Sequence, residues 1–298
     1  MSITLKQIET FVQVADLGSF RAAAERLNTT QPNISNRIAG LETALGAQLM
    51  ERDAGSVRLT LKGRQLLDHA RQVLGATEAL IEASGQTALF TGALRLGVTE
   101  MIAHTWLRDF LRAFRRAYPN ISVELTVDLS ATLETELFAR TIDIAFQNGP
   151  FTRQASGTQL IGAYPPVWVA SPALNLTAPI SAQDMAAHPI LTHARGTRQH
   201  TEVVDHFRAH EVSGLRIVPS SNLAVGAQMA ANGMGIAALP RAMVRAEIDR
   251  GELTEVPYGW LPSALEFAAR FDATTSPAHV RLAADIAGEV AGASALKG

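Results

Sequence analysis

Between Ser19 and Leu45 two apolar helical stripes flank a five-residue polar break, and few folds accommodate that arrangement. Phe20, Ala23, Ala24 and Leu27 recur at spacings of three and four, the pattern of an amphipathic helix. A second stripe follows at Ile34, Ile38, Leu41 and Leu45. Between them stand Asn28, Thr29, Thr30, Gln31 and Pro32. Thr30 is placed to cap the second helix through its hydroxyl. Pro32 is tolerated in a first turn whose N–H groups have no intrahelical partner. Two short helices joined so tightly predict a helix-turn-helix, whose second helix is free to enter the major groove of double-stranded DNA.

With that stripe buried, Asn33, Asn36, Arg37 and Gly40 are expected to turn away from the core, and Gln31 to sit on the first turn. Asn and Gln can make paired hydrogen bonds to adenine, and Arg to guanine. Thr30 and Ser35 suit phosphate oxygens. Periodicity alone is equally compatible with an ordinary surface helix, so the neighbouring segments decide.

Charge and composition bound the choice. Net charge is −2, which does not advertise nucleic-acid binding. From Arg21 to Arg64, however, seven basic residues (Arg21, Arg26, Arg37, Arg52, Arg58, Lys62, Arg64) stand against four acidic ones (Glu25, Glu42, Glu51, Asp53), a local balance of +3. A two-fold dimer would double it. The 47% hydrophobic share supports packed cores and argues against disorder. No run of eighteen apolar residues predicts a membrane span, and MSITLKQIETF lacks the apolar block of a signal peptide, so a cytoplasmic location is expected. With no cysteine there is no disulfide framework, thiolate metal site or thiol sensor.

Thr4 to Ala15 reads as a first helix, with Ile8, Phe11, Val12 and Ala15 on one side; Gly18 ends it and Ser19 caps the next. Gly46 ends the reading helix. Gln48–Arg52 and Ser56–Thr60 then alternate around Asp53-Ala54-Gly55, a hairpin that makes the wing of a winged helix. Arg52 and Arg58 on such a wing suit phosphates or the minor groove, although surface arginines can also be inert. Thr60 caps a long helix expected to run to about Ala88. Its seam, Gly63, Leu67, Ala70, Leu74, Thr77, Ile81 and Ser84, alternates spacings of four and three, with Leu66, Val73 and Leu80 widening it. A second copy is the simplest partner for that seam; packing on the helix's own domain is the alternative.

After a short hinge at Thr87–Thr91 the character changes. Strand Ala93–Val98, helix Trp106–Tyr118, strand Ile121–Val127, helix Thr132–Arg140 and strand Ile142–Phe146 alternate, an order that predicts a parallel sheet covered by helices. Leu160–Ala170 holds strands broken at Pro165-Pro166. Strand Pro189–Thr192, helix His200–His210, strand Leu215–Pro219, helix Ala224–Asn232 and strand Gly235–Leu239 make a second α/β unit. Leu265–Phe271 and helix Pro277–Ala291 close the chain. Val167 and Leu265 read as crossover points, the last segment returning to the first unit.

The run LKQIETFVQVADLGSFRAAAERLNTTQPNISNRIAGLETALGAQLMERDAGSVRLTLKGRQLLDHA resembles the LysR-type transcriptional regulators. Its TQPNIS turn, Leu41-Glu42, LMER and VRLTLKG all stand in order and register. ALRLGV, TIDIAF and GAQMAANGMGIAALP are similar to later family segments, so the resemblance spans essentially the whole chain. It departs at Ala39 and Gly40, where family members often carry basic residues; Arg37 is left as the one formal positive charge on the reading face. Gly40 inside a helix costs about 1 kcal/mol relative to Ala.

The resemblance implies a fold and a function. The fold is an N-terminal all-α winged helix-turn-helix (1–60) with a long linker, or dimerisation, helix (61–90). An α/β effector domain (91–298) follows, of two subdomains like a periplasmic binding protein, the first about 91–163 and 265–298, the second about 164–264. The function is that of a bacterial regulator which binds an interrupted palindrome as a dimer of dimers. A small-molecule effector in the interlobe cleft would alter promoter binding or DNA bending, and RNA polymerase is a partner if the protein activates. DNA contacts are expected from Thr30, Gln31, Pro32, Asn33, Ser35, Asn36, Arg37, Arg52, Arg58 and Lys62, and a dimer seam from Leu67, Ala70, Leu74, Thr77 and Ile81.

Ligands of open α/β sheets gather beyond the carboxyl ends of strands, at helix starts. Three stretches lie at such ends: Thr99-Glu100-Met101, Ser130-Ala131, and the loop holding His193, Arg195 and Thr197. Asn222 and Gln147-Asn148-Gly149 are further candidates. In the family the positions of Thr99, Ser130 and the loop around His193 line the pocket. Hydroxyls, free N–H groups, His193 and Arg195 favour a small organic acid or other anion, and Glu100 opposes one. Each of these residues also has a plain reading as a helix cap or surface loop residue.

Rival functions fare worse. A solute-binding protein of the same two-lobe fold would need no DNA-binding head. An enzyme would show a Gly-rich phosphate loop, a G-x-S-x-G elbow or a metal pattern, and none occurs. His188, His193 and His200 do not share one helix face, so neither a metal nor another cofactor is expected.

Overall fold

The structure, a computed structural model, describes residues 2–53, 56–84, 89–176 and 180–295. The chain divides into two compact units. One comprises Met1–Ala93, Ala117–Ser122 and Thr275–His279; the other comprises Leu94–Arg116, Val123–Thr274 and Val280–Gly298.

In the first unit, α1 (Leu5–Leu17) starts on a capping box in which Thr4 and Gln7 satisfy each other's backbone N–H groups. Ser19 caps α2 (Phe20–Arg26) through Ala22 N–H. The polar break then closes α2 as a Schellman motif: Thr29 N–H reaches Ala24 C=O at 2.9 Å and Asn28 N–H reaches Glu25 C=O at 3.2 Å. Asn28 takes the left-handed conformation this requires, φ 47°. Helix α3 (Gln31–Leu45) ends on Gly46 at φ 64° in the same motif. Strands β1 (Met50–Asp53) and β2 (Ser56–Leu59) pair antiparallel as the expected wing, and α4 runs Leu61–Ala83. Thr60 Oγ1 caps α4 through Gly63 N–H at 2.9 Å. The remainder of the expected helix and the start of the hinge fall on 85–88, outside the described residues.

Phe11, Val14, Phe20, Ala23, Ala24, Ile34, Ile38, Leu41, Leu49 and Met50 form one buried core, against which Leu66, Leu67 and Ala70 of α4 pack. The helix is thus partly committed to its own protomer. Arg71 fixes it further by an ion pair to Asp16 at 2.6 Å. Leu67 and Ala70, expected in an intermolecular seam, are used inside the unit; Val73 (43% exposed) and Leu80 (71%) are open instead.

The second unit is built on two five-stranded sheets. The first has the order β4-β3-β5-β12-β6, from β3 (Gly92–Val98), β4 (Ile121–Val127), β5 (Ile144–Asn148), β6 (Gly157–Tyr164) and β12 (Leu265–Phe271). The second has the order β11-β7-β10-β8-β9, from β7 (Pro166–Ala170), β8 (Ile190–Thr192), β9 (Ile217–Pro219), β10 (Ile236–Pro240) and β11 (Thr254–Glu255). The sheets are mixed rather than parallel. β3 and β5 run parallel, as do β10, β8 and β9, but β12 lies antiparallel to β5 and β6, and β7 antiparallel to β10 and β11. The physical reason is the crossover: a strand that returns from the other lobe enters from the opposite end.

Helices α5 (Glu100–His104), α6 (Leu107–Ala117), α7 (Ser130–Phe138) and α12 (Ala278–Ala295) belong with the first sheet in sequence, and α8 (Ala182–Ala186), α9 (Arg198–Ala209), α10 (Leu223–Ala231) and α11 (Arg241–Asp249) with the second. Helices α5, α8 and α11 were not legible, the first two because five residues carry too little periodicity. Phe110, Phe114, Trp106 and Phe146 form an aromatic core in one lobe, and Trp168, Phe207, Ile190 and Ile236 anchor the other. Among the described residues no helix is long and apolar enough to cross a membrane.

Candidate functional site

The reading face of α3 is mostly as expected. Thr30, Gln31, Pro32, Asn33 and Asn36 are exposed, and Ser35 is half-buried. Thr30 stands at the N-cap, but its hydroxyl, expected to cap the helix, makes no capping bond. Asn33 Nδ2 donates to Thr29 Oγ1 at 3.2 Å. Leu45, expected in the buried stripe, is 39% exposed because α3 outruns the core it packs on.

Two residues differ more. Gly40 does not face outward: a Cβ there would sit 2.7 Å from Gln7 Nε2, so α1 packs over it. Arg37 is half-buried, and its guanidinium donates to Thr10 Oγ1 at 3.4 Å. Its charge is therefore held at the junction of α1 and α3. Arg58 and Lys62 are exposed. Arg52 pairs with Val57 in the wing through its backbone, while its side chain lies outside the described residues.

Two contacts fix the start of the wing, one to the reading helix and one to α4. Glu42 Oε1 accepts the backbone N–H groups of Leu49 (2.7 Å) and Met50 (3.1 Å). Gly63, in the first turn of α4, lies so near the Leu49 carbonyl that a Cβ would be 2.1 Å from the oxygen.

In the second unit a cleft of about 650 Å³ opens between the two sheets. Thr99, Glu100, Met101, Ser130, Ala131, His193, Arg195, Thr197 and Asn222 all line it, together with Asn148, Gln199 and Glu134. Their states are unequal. Thr197 caps α9 through His200 N–H, and Asn222 caps α10 through Val225 N–H, so both are spent on helix ends. Ser130 Oγ donates to Asn148 Oδ1 at 2.9 Å and accepts Asn148 N–H at 3.1 Å. Helix α7 begins at Ser130 rather than Thr132.

Thr99 and His193 stand apart. Each is 7% exposed, and Thr99 Oγ1 and His193 Nε2 have no hydrogen-bond partner among the described residues. Thr99 precedes α5 but does not cap it. Burial, with the neighbouring His200, lowers the His193 pKa to about 4, so its ring is neutral at pH 7. Arg195 is exposed on the same loop, and Met101 is buried.

Sequence reasoning missed the pair Glu134 and Arg270. Arg270, 1% exposed, donates to Glu134 Oε1 at 2.8 Å. Burial pushes the Glu134 pKa up. Hydrogen bonds from Thr152 and Arg270 and from the N–H groups of Arg153 and Thr152 more than offset that, holding it at about 2. Glu134 therefore adds a carboxylate to the wall whose charge Arg270 balances. Helical spacing was the available signal, since Glu134 lies one turn beyond Ser130. Glu100 is also committed, its carboxylate accepting the N–H groups of Leu223 and Ala224.

Comparison with known proteins gives matching answers for both units. The model of the bacterial regulatory helix-turn-helix protein, lysR family, matches residues 5–64, and that of the LysR substrate binding domain matches 87–291. The HTH-type transcriptional regulator CfxR of Cupriavidus necator is 28% identical over 255 residues, covering 85% of this chain and 80% of that protein. A probable hydrogen peroxide-inducible genes activator of Mycobacterium leprae is 28% identical over 258 residues, covering 84% and 82%. Among solved structures, a C206 mutant of Corynebacterium glutamicum OxyR aligns at TM-score 0.60 and 24% identity over 100% of this chain and 96% of that one. ArgP of Mycobacterium tuberculosis aligns at 0.59 and 22% over 96% of each. These structural likenesses concern the fold.

Proposed function

The chain belongs to the LysR family of bacterial DNA-binding transcriptional regulators with an effector-binding domain, and we propose that its effector is a small organic acid seated in the interlobe cleft. One observation carries the reading. Thr99 Oγ1 in one lobe and His193 Nε2 in the other are buried, without a hydrogen-bond partner among the described residues, and on the walls of one cleft. An orphaned buried polar atom costs about 1–3 kcal/mol, which a ligand oxygen bridging the two would recover. A carboxylate fits: the hydroxyl donates to one oxygen, and the neutral imidazole, in its Nε2–H tautomer, donates to the other. Arg195 on the same loop adds long-range attraction. With no cysteine in these 298 residues, thiol chemistry is not the signal.

DNA recognition in this reading rests on Gln31, Asn33, Asn36 and Arg37 for bases, with Thr30, Pro32 and Ser35 at the helix start and Arg52, Arg58 and Lys62 flanking. Self-association uses the open side of α4, at Val73 and Leu80, beside the half-buried Leu74, Thr77 and Ile81. The protein acts in the cytoplasm, without a resident cofactor and without an enzymatic activity of its own; as an activator it would also contact RNA polymerase.

The test is a thermal-shift screen of the full chain against small carboxylic acids. The acid that raises the midpoint should lose its effect in Thr99→Ala and in His193→Gln, while operator DNA still shifts in a gel with both variants. An undiminished response in both would move the effector out of this cleft.

A further inference from the structure

Glu100 begins α5 in one lobe, and its side chain crosses to the other. Oε2 accepts the Leu223 N–H at 2.6 Å, and Oε1 accepts the Ala224 N–H at 3.2 Å. Leu223 and Ala224 are the first two residues of the nine-residue α10. N–H groups there have no intrahelical acceptor, and the helix end carries partial positive charge. The next two N–H groups are also satisfied, Val225 by Asn222 Oδ1 at 2.7 Å and Gly226 by Asn222 C=O at 3.3 Å. The first turn of α10 is thus complete, with a carboxylate in the position an external anion would take. His104 Nε2 stands 3.7 Å from Glu100 Oε1 on the same side.

A second feature of the same cleft points to a ligand. Thr99, adjacent in the chain, and His193 present buried polar atoms that nothing among the described residues satisfies. The wall therefore has two kinds of polar position: one the chain fills with its own carboxylate, and one it leaves open.

We propose that Glu100 is a built-in anion that sets effector specificity, occupying the α10 end in place of an effector carboxylate and clasping the two lobes through that end. The occupancy stands on the bonds above; its effect on specificity rests on the cleft being the effector site. Under that reading an acid is confined to the Thr99 and His193 side. A diacid long enough to reach α10 meets the Glu100 charge and is rejected relative to the monoacid of similar length.

Acetate provides the test, on the full chain. With Glu100 in place and the effector side removed by Thr99→Ala, the unfolding midpoint should not change as acetate replaces chloride at constant ionic strength. Glu100→Ala should lower the midpoint in chloride, and acetate should raise it saturably by refilling the α10 end. An acetate response absent from Glu100→Ala, or equal in Thr99→Ala with Glu100 intact, overturns the proposal. Glu100→Gln keeps the shape and one acceptor oxygen without the charge. It should fold, ignore acetate and show faster amide exchange at 222–226; unchanged exchange overturns the clasp, and decides the matter if Glu100→Ala does not fold. Adding Thr99→Ala to Glu100→Ala should preserve the acetate rescue. A lost effector response beside a kept rescue, or the reverse, separates failure of this proposal from failure of the effector reading.

Discussion

The α-carbon of Gly63 lies against the carbonyl of Leu49 so closely that a Cβ on it would fall 2.1 Å from that oxygen. The contact seats the start of α4 on the wing and explains why a glycine follows the lysine of the VRLTLKG stretch. Nothing about φ demands it; the approach of two backbones does.

Gly63→Ala is expected to destabilise the DNA-binding unit by about 1–3 kcal/mol, since a backbone oxygen cannot swing aside as a side chain can. Thermal unfolding should show a lower first transition and operator affinity should fall with it. An alanine variant of full stability would mean that α4 and the wing shift apart freely.

Glu42→Ala should cost about 1–3 kcal/mol, because the N–H groups of Leu49 and Met50 lose their shared acceptor. Glu42→Gln, which keeps one oxygen, should recover much of it. Equal stability of the three proteins by denaturant titration would remove Glu42 from the helix–wing joint.

Arg37→Ala should lose roughly 1–3 kcal/mol of specific DNA affinity while the fold survives. In the free protein the guanidinium is held by Thr10 at 3.4 Å, so it must leave that contact to reach a base. Thr10→Val should therefore leave specific affinity unchanged or raise it. Fluorescence anisotropy with operator and scrambled duplexes checks both variants.

Two substitutions in α4 should part company. Leu67 packs on the buried core of its own unit, so Leu67→Ala should lower stability by about 2 kcal/mol with self-association kept. Leu80 is 71% exposed, so Leu80→Asp should leave stability alone and weaken self-association. Sedimentation that finds Leu80→Asp still fully associated would place the seam elsewhere.

His193 should leave a mark on the pH dependence of stability. Its pKa is about 4 in the fold and 6.5 in the unfolded chain, so between these values the unfolded state binds the extra proton. Its contribution is whole above about pH 6.5 and is lost as pH falls toward 4, on the order of 3 kcal/mol in all. His193→Gln should flatten that part of the curve. An anionic effector beside the ring would raise its pKa, so calorimetry at about pH 5 in buffers of different ionisation enthalpy should show proton uptake on binding.

The polar break at Asn28–Pro32, the two stripes and the long α4 could be read from the chain because each reports local geometry: helical period, capping chemistry and a residue able to turn left-handed. The cleft residues were legible for a related reason. Strand ends and helix starts concentrate free N–H groups, and Thr99, Ser130 and His193 stood at such points. The same rule left unequal residues looking alike. Thr197 and Asn222 serve their own helices, while Thr99 serves none, and only the side-chain hydrogen bonds separate them.

By itself the sequence determined the order of the longer elements, the helix-turn-helix with its wing, and the family. These follow from periodicities of a few residues and motifs of a few more. The tertiary structure decided what depends on distant partners. It turned Gly40 toward Gln7 and Arg37 toward Thr10. It committed Leu67 to its own core and left Leu80 open. It carried Glu100 to an amide 123 residues away. Period tells which face of an element is buried, but not which other element buries it; that depends on how the strands cross between the two sheets.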